Sequence, residues 1–435
     1  MKRIINFNML MLLLIVAALP SCKKEYGNLN NPTIEEYIKN ASKDQLDGLV
    51  TGLLSGMRNN EGAYLDVVGV MGREMYRFSN ADPRFVTELL GSGNTTLNNT
   101  GFYITNPWAS RYRAVKNCNV LIEAATNSTL ISAEQKKGYT GFAKTLKAYE
   151  LLLNLNLTYE NGVRIDVADP ANLGPIVDSY DGSITAIAAL FDEGKADLTG
   201  SAVGFPLNSG FTGFEDAAGL IKFNRALAAR VDVYRKQWTT ALTDLGLSFF
   251  SLAGDFNTGA SEIFSTNSGD QLNSAFFDQN SNGEVRLAHP SYVTDLEAND
   301  DRIGKATLRT TSASNSGLTS NRDVWVYRSS VAPIPIIRNE ELILIYAEAN
   351  IQTDQLTIGK DALDVIRNGH GLPDYSGPVT KAALIDEMLK QRRYSLFFEG
   401  HRWIDMRRYD RLNTLPKDRT DDDVWPEMPI PSTEL

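Results

Sequence analysis

Cysteine and histidine are scarce in this chain of 435 residues, which has two of the first and three of the second. Around His289, His370 and His401 there is no H-E-x-x-H run, and neither G-x-S-x-G nor G-x-x-x-x-G-K-[ST] occurs anywhere. That removes the zinc-protease, nucleophile-elbow and P-loop signatures. Gly91-x-Gly93 is followed by Thr96 rather than a third glycine and belongs to no strand–helix–strand unit, so a dinucleotide site is not expected. Positive charge is in deficit: 43 Lys and Arg against 53 Asp and Glu give a formal charge of −10. An acidic surface favours neither nucleic acid nor anionic substrates. Long apolar runs are missing after residue 22, so no membrane-spanning helix is expected there. No Pro- or Ser-rich linker divides the chain, although its length would allow two or three domains. A hydrophobic share of 43% with 22% charged residues fits one packed body.

What is present begins with a targeting segment. Lys2 and Arg3 precede the apolar run Met9–Leu19, 11 residues long and too short to cross a bilayer. Leu19-Pro20-Ser21-Cys22 then has the form of a lipoprotein cleavage box. Residues 1–21 are expected to be a signal peptide, leaving 435 − 21 = 414 residues that start at a lipidated Cys22. Losing Lys2 and Arg3 takes the charge from −10 to −12. Acyl chains on Cys22 would hold the protein to a membrane at about 0.8 kcal/mol per buried methylene. Lys23-Lys24-Glu25 is a partial acidic export tag. With Cys22 lipidated, Cys118 is alone and no intramolecular disulfide can form. Cys118 keeps helical step with Val115, Leu121 and Ile122 and reads as a small core residue.

Paired helices dominate the rest. Thr33 is placed to cap a first helix, and Leu46, Leu49, Val50, Leu53, Leu54 and Met57 form one apolar face. A helix is expected from Asn106 or Pro107 past Ala125, and another from Ser132 and Gln135 to Leu157. Ser183–Leu198 pairs with Ile221–Leu247, whose seam is Ala226, Leu227, Ala229, Arg230, Val233 and Tyr234; Glu341–Ile351 pairs with Asp361–Arg367. Such pairs resemble tetratricopeptide hairpins of roughly 34 residues, in which each pair needs its neighbours to complete a core. The expected fold is mainly α, a helix-pair superhelix with scaffold at about 33–58, 107–250 and 336–412. Residues 59–106 and 251–335, rich in Ser, Asn, Gly and Asp, form the loop-rich part. Within it Val324–Tyr327 reads as a short strand or edge. Asp421-Asp422-Asp423 lacks the spaced oxygens of a calcium loop and reads as a solvated acidic turn, so no metal and no cofactor are expected.

The stretch from Arg338 to Tyr409 organises the chain. Arg338, Glu341, Leu344, Tyr346, Ala347, Glu348 and Ala349 are followed by Ala362, Leu363, Ile366, Arg367, Gly371 and Leu372. Then come Arg392, Leu396, Glu399, Gly400, Arg402, Trp403, Asp405 and Arg408. Together these three blocks resemble the SusD/RagB-like family. Trp108, Tyr112, Val115 and Asn119, with Ala143, Leu146, Lys147, Ala148 and Tyr149, extend the likeness, as does the Asp-x-Arg element around Asp300 and Arg302. Gln391 and Ser395 stand where the family usually has glutamates. Arg338, Glu341, Glu348, Arg392, Glu399, Arg402, Asp405 and Arg408 are read as a structural ion network, with Glu399, Arg402 and Asp405 spaced to face one another along one helix starting at Thr380. His401, four before Asp405, could mimic a base and its orienter, but inside this network it reads as structural.

The resemblance implies a single domain from Cys22 to Leu435 and a non-catalytic surface lipoprotein of the outer membrane. Such a protein captures a nutrient, here expected to be an oligosaccharide, for a SusC-like TonB-dependent transporter. An oligopeptide ligand, or a surface glycoside hydrolase, is the alternative. Aromatic faces flanked by Arg, Asn and Asp suit a sugar or peptide. On that basis Tyr76, Arg84, Asn98, Phe102, Tyr103 and Trp325, all in the loop-rich part, are the expected ligand contacts.

Overall fold

A computed structural model describes residues 34–434. The expected signal peptide, Cys22 and Thr33 lie outside the described residues.

The chain opens with α1 (Ile34–Asn40) and α2 (Lys43–Met57). Ser42 Oγ accepts from the Gln45 N–H at 3.3 Å, and the Gln45 side chain accepts from the Ser42 N–H at 2.8 Å. This reciprocal box satisfies two N–H groups that the first turn leaves free. Next come α3 (Glu61–Met71), β1 (Met75–Phe78), α4 (Phe102–Asn127) and α5 (Ala133–Thr158). The short hairpin β2 (Val163–Arg164) and β3 (Ile176–Val177) precedes α6 (Tyr180–Leu198), α7 (Ala217–Tyr234) and α8 (Trp238–Leu247). Then follow β4 (Gly259–Glu262), β5 (Val285–Ala288), α9 (Pro290–Thr294), β6 (Ala306–Asn315), β7 (Leu318–Val324) and β8 (Ile334–Arg338). Last are α10 (Asn339–Gln352), α11 (Leu356–Gly369), α12 (Lys381–Ser395) and α13 (Arg402–Arg408).

The long helices stack in sequence: α2 on α4, α4 on α5, then α6, α7 and α8, with α8 on α10 and α10 on both α11 and α12. Helix α10 is buried nearly all round, its apolar side chains against two cores and its glutamates against arginines. Leu342, Ile345 and Ala349 face the main core. Ile343, Leu344, Ala347 and Ile351 face a second core with Ala362, Leu363 and Ile366 of α11 and Leu384 and Met388 of α12. The fold is thus mainly α, a stack of helix pairs of tetratricopeptide type with a loop-rich subdomain packed against it. That subdomain holds an antiparallel sheet of order β1-β5-β7-β6, in which Tyr76 opposes Leu287 and Thr307 opposes Asp323. Strand β4 pairs with β8, and β8 runs straight into α10.

Several expected boundaries move. Residues 59–106 were expected to be irregular, yet they contain α3 and β1. Helix α4 begins at Phe102, not Asn106 or Pro107. Gly101 is its N-cap, and Ile104 and Thr105 both donate to the Gly101 carbonyl, so a full turn precedes Pro107. Ile221–Leu247 is two helices. Lys236 sits at φ 59°, and the Gln237 N–H returns to Asp232 O at 2.8 Å, closing α7 before α8 starts. Thr380 caps α12 as expected, but the helix stops at Ser395. Phe398 (φ 58°) and Gly400 (φ 84°) turn the chain into α13, and Gly400 suits a left-handed conformation that a side chain resists. Val324 ends β7 rather than starting a strand; Trp325 adds one more backbone bond, to Lys305 O at 2.7 Å.

The ions of the carboxy-terminal third are buried, and each pair ties separate elements together. Arg230 of α7 grips Glu341 of α10 with two bonds of 2.6 Å. Burial alone would raise the Glu341 pKa, but Arg230 pulls it down to about 2. Arg338 pairs with Glu399 at 2.8 Å and also with Glu340. Arg408 pairs with Glu348 and, at 2.9 Å, with Asp405, which Arg392 also holds at 2.6 Å. Arg402 departs from expectation. The turn at 396–401 lifts Glu399 off the helix, so Arg402 faces neither Glu399 nor Asp405, and its Nε donates to Gly72 O at 3.1 Å. Gln391 and Ser395 also find a role: both accept from Arg302, at 2.7 and 3.0 Å, while Asp300 supplies that arginine's carboxylate at 2.7 Å. Neutral acceptors suffice there because the charge is already balanced.

Replacing Arg338 with alanine leaves Glu340 and Glu399 buried without their main cation. Urea unfolding of Arg338→Ala is expected to show a loss of about 3–5 kcal/mol, the scale for breaking a buried pair. A loss under about 1 kcal/mol would mean the pair behaves like a surface bridge.

Candidate functional site

The loop-rich part holds a groove of about 610 Å³ lined by the loop Asn94–Asn99, Glu88 and Pro429. Its wall is built by local caps. Asp82 accepts from the Arg84 N–H at 3.0 Å, starting a short 3-10 turn at Pro83–Phe85, and pairs with the Arg84 guanidinium at 2.5 Å. That guanidinium lies 4.6 Å from the Phe102 ring centroid, and Phe102 meets Phe85 edge-on at 5.0 Å. Gly91 (φ 73°) and Gly93 (φ 66°) turn the chain, and a Cβ on Gly91 would come within 2.5 Å of Asp423. Asp421 holds the Gly93 N–H at 2.7 Å, Asp423 N–H donates to Leu90 O at 2.7 Å, and Ser432 N–H donates to Asn99 O at 3.1 Å. The groove loop is therefore laced to the end of the chain.

Inside that wall lies a short hydrogen-bond chain. The Asn98 N–H donates to Tyr103 Oη at 2.5 Å, and the Tyr103 hydroxyl donates to Glu88 Oε2. Burial and the Glu88 acceptor both push the Tyr103 pKa up, so the hydroxyl keeps its proton. The Asn98 side chain accepts from the Thr100 N–H at 2.9 Å and stays exposed. The lining is almost all amide, hydroxyl and small apolar groups, which suits a polyhydroxylated ligand held by hydrogen bonds.

The expected contacts are only partly assembled. Asn98 is exposed and lines the groove, while Arg84 and Phe102, both half-buried, meet each other without lining it. Tyr103 is 1% exposed and stands behind the wall rather than in the groove. Tyr76, 2% exposed, is a core residue of β1, stacked on Phe78 at 5.6 Å and edge-on to His289 at 5.1 Å. Both tyrosines are corrections: an aromatic among polar neighbours in sequence was buried by the sheet and by α4. Trp325 is half-buried, 6.0 Å from Phe276. The connection from it toward Phe102 runs through Phe277, Arg77 and Phe85. Glu88 was missed; a lone glutamate in a loop carries no signal until Tyr103 is placed beside it.

Other openings are less suited. A cleft of about 510 Å³ has the Arg58–Asp270 pair (2.7 Å) on its wall, and one of about 370 Å³ lies beside Trp238 and Tyr409. The cavity beside Arg230, Glu341 and His401 is about 20 Å³, room for about one water. His401 is no base there. Burial lowers its pKa to about 4, its Nε2 is 3.8 Å from Glu341, and Asp405 is engaged by two arginines. The acidic run is split: Asp421 and Asp423 are exposed, whereas Asp422 is buried and paired with Arg419 at 2.7 Å. Among the described residues no carboxylate, histidine or cysteine cluster is arranged to hold a metal, and no helix is long and apolar enough to cross a membrane.

One buried charge imbalance lies where scaffold and subdomain meet. Arg111 of α4 stands 3.0 Å from Glu61 and 3.2 Å from Glu150, and Glu262 of β4 is close enough to raise their energy. Three carboxylates share one full cation. Burial raises all three pKa values, that of Glu150 to about 8, and Glu74 is also raised to about 8.

Against this geometry the comparisons are direct. Residues 291–428 match the model of the SusD family. A SusD superfamily protein from Bacteroides vulgatus shares the fold at TM-score 0.64 and 16% identity, over 90% of this chain and 96% of that one. Surface glycan-binding protein A from Bacteroides thetaiotaomicron gives TM-score 0.68 at 13% identity, over 92% and 97%. A SusD-like carbohydrate binding protein from Bacteroides vulgatus gives 0.59 at 17%, over 85% and 83%. No curated protein matches the chain. The carboxy-terminal third of the chain thus matches the SusD family, and the whole chain shares the fold of SusD-like proteins.

A carboxyl whose folded pKa is raised adds stability only while it is protonated. That contribution is whole below about 4.5 and is lost as pH climbs toward 8. Thermal unfolding by calorimetry is expected to show a falling midpoint between these limits. Glu150→Gln, which mimics the protonated form, should flatten that fall; an unchanged slope would show that Glu150 is ionised in the native protein.

Proposed function

We propose that this protein is a lipid-anchored, non-catalytic binding protein on the outer face of the outer membrane. It captures an oligosaccharide in the groove beside Asn94–Asn99 and delivers it to a SusC-like TonB-dependent transporter, closing over the barrel like a lid. The observation that carries this reading is the groove itself, an open channel walled by backbone-held amides and hydroxyls. Sugars present rows of hydroxyls that both donate and accept, and such a wall answers both. Two structural neighbours, a surface glycan-binding protein and a carbohydrate binding protein, support the same ligand class. Arg84, Asn98, Phe102 and Trp325 are kept as ligand contacts, since their side chains reach solvent. The anchor is Cys22. The network around Arg338 and Arg408 keeps the helix stack rigid so that the loops alone adapt to ligand.

Thr96 and Asn99 line the groove. Removing both side chains (Thr96→Ala with Asn99→Ala) is expected to weaken glycan binding about tenfold, the loss of one or two net hydrogen bonds. Stability should stay within about 0.5 kcal/mol, as for surface changes. Calorimetric titration against matched panels of oligosaccharides and oligopeptides checks this. Binding confined to peptides would defeat the glycan reading, and unchanged affinity in the double variant would move the ligand off this groove.

A further inference from the structure

Among the described residues that line the groove, Glu88 is the one charged side chain. Its Oε2 is engaged by the Tyr103 hydroxyl, which the Asn98 N–H fixes from the other side. Its Oε1 accepts no internal hydrogen bond among the described residues, so the second oxygen is free while the first holds the carboxylate in place. Arg84 attracts Glu88 through space but makes no ion pair with it. Arg84 is already held by Asp82, with Nε–Oδ1 at 2.9 Å and Nη2–Oδ2 at 2.5 Å. Beside the groove loop, the exposed Asp421 and Asp423 add the same sign, with Lys417 at 3.9 Å from Asp423 and Arg73 bonded to the Asp423 carbonyl. The chain as a whole is acidic, at −10.

We propose that Glu88 selects the ligand by charge, admitting neutral or amino-bearing oligosaccharides and turning away those that carry uronate or sulfate. This rests on the groove being the glycan site. An ionised carboxylate is an acceptor only. It takes a hydrogen bond from a sugar hydroxyl, takes a stronger one from an ammonium, and has no proton for another anion. Repulsion between like charges grows where the wall excludes water, and Glu88 is half-buried. Tyr103 is then a positioning residue: it aims the free oxygen into the groove without touching ligand.

The experiment is calorimetric titration of the full chain with cellohexaose, maltohexaose, mannohexaose, the glucosamine hexamer and the galacturonate hexamer, at low salt and pH 7. The wild-type protein is expected to bind at least one neutral or amino-bearing hexamer at least about tenfold more tightly than the galacturonate hexamer. Glu88→Gln, which keeps shape and removes charge, should shrink that ratio to near one, and raising salt should shrink it in the wild type. Tyr103→Phe keeps the buried ring and should give an intermediate ratio, a change in selectivity that mere loosening of the core would not produce. The proposal is overturned if the galacturonate hexamer binds the wild type as well as the best neutral hexamer, or if the ratio survives Glu88→Gln unchanged. Should no hexamer bind the wild type at all, the glycan reading of the groove fails first, and the charge filter with it.

Discussion

Taking an ion out of water costs several kcal/mol, and the carboxy-terminal third of this chain does it repeatedly. The cost is met only where a guanidinium and a carboxylate arrive from different helices with their forks aligned. Arg230 and Glu341 lie on α7 and α10, Glu348 and Arg408 on α10 and α13, and Arg338 closes on Glu399 beyond α12. Helix α10 takes part in all three pairings or borders them, and it is also the helix shared by the two apolar cores. Hydrophobic burial supplies most of the stacking energy. The ion pairs add register: a slide of one helix past another would strand charges that have no water to turn to.

That frame leaves the large openings to the loops around it. The groove is made from the Asp82–Thr100 segment and the end of the chain, held by side-chain caps and single backbone bonds rather than by a ladder. Such construction leaves amides and hydroxyls at the surface while Tyr103 and Trp425 anchor the wall from behind. The wall so formed is polar and hydrogen-bonding, with the single carboxylate of Glu88.

Much of the scaffold was legible in the residues. Ser132 with Gln135 marks a helix start because a hydroxyl and an amide at that spacing close a local ring. Such signals depend on four residues only. The α7–α8 break was not legible, since the apolar period continues through Arg235–Gln237 and only the left-handed Lys236 reveals the turn. Likewise Glu399, Arg402 and Asp405 are three apart in sequence, but Phe398 and Gly400 rotate Glu399 toward Arg338. The site was less legible still. Asn98 lines an opening, and Arg84 and Phe102 are half-buried, whereas Tyr76 and Tyr103 have the same local composition and are buried.

By itself the chain of residues determined the helix-pair class, the acidic balance and the set of ions that must find partners, because periodicity, capping and charge are properties of short stretches. Which ion meets which, which tyrosine faces water and which oxygen of Glu88 stays free were decided only by the tertiary structure. Those outcomes depend on burial, and burial is created by segments hundreds of residues apart coming together, as Arg73 and Arg419 show by bonding across 350 and 333 positions to Asp423 and Val86.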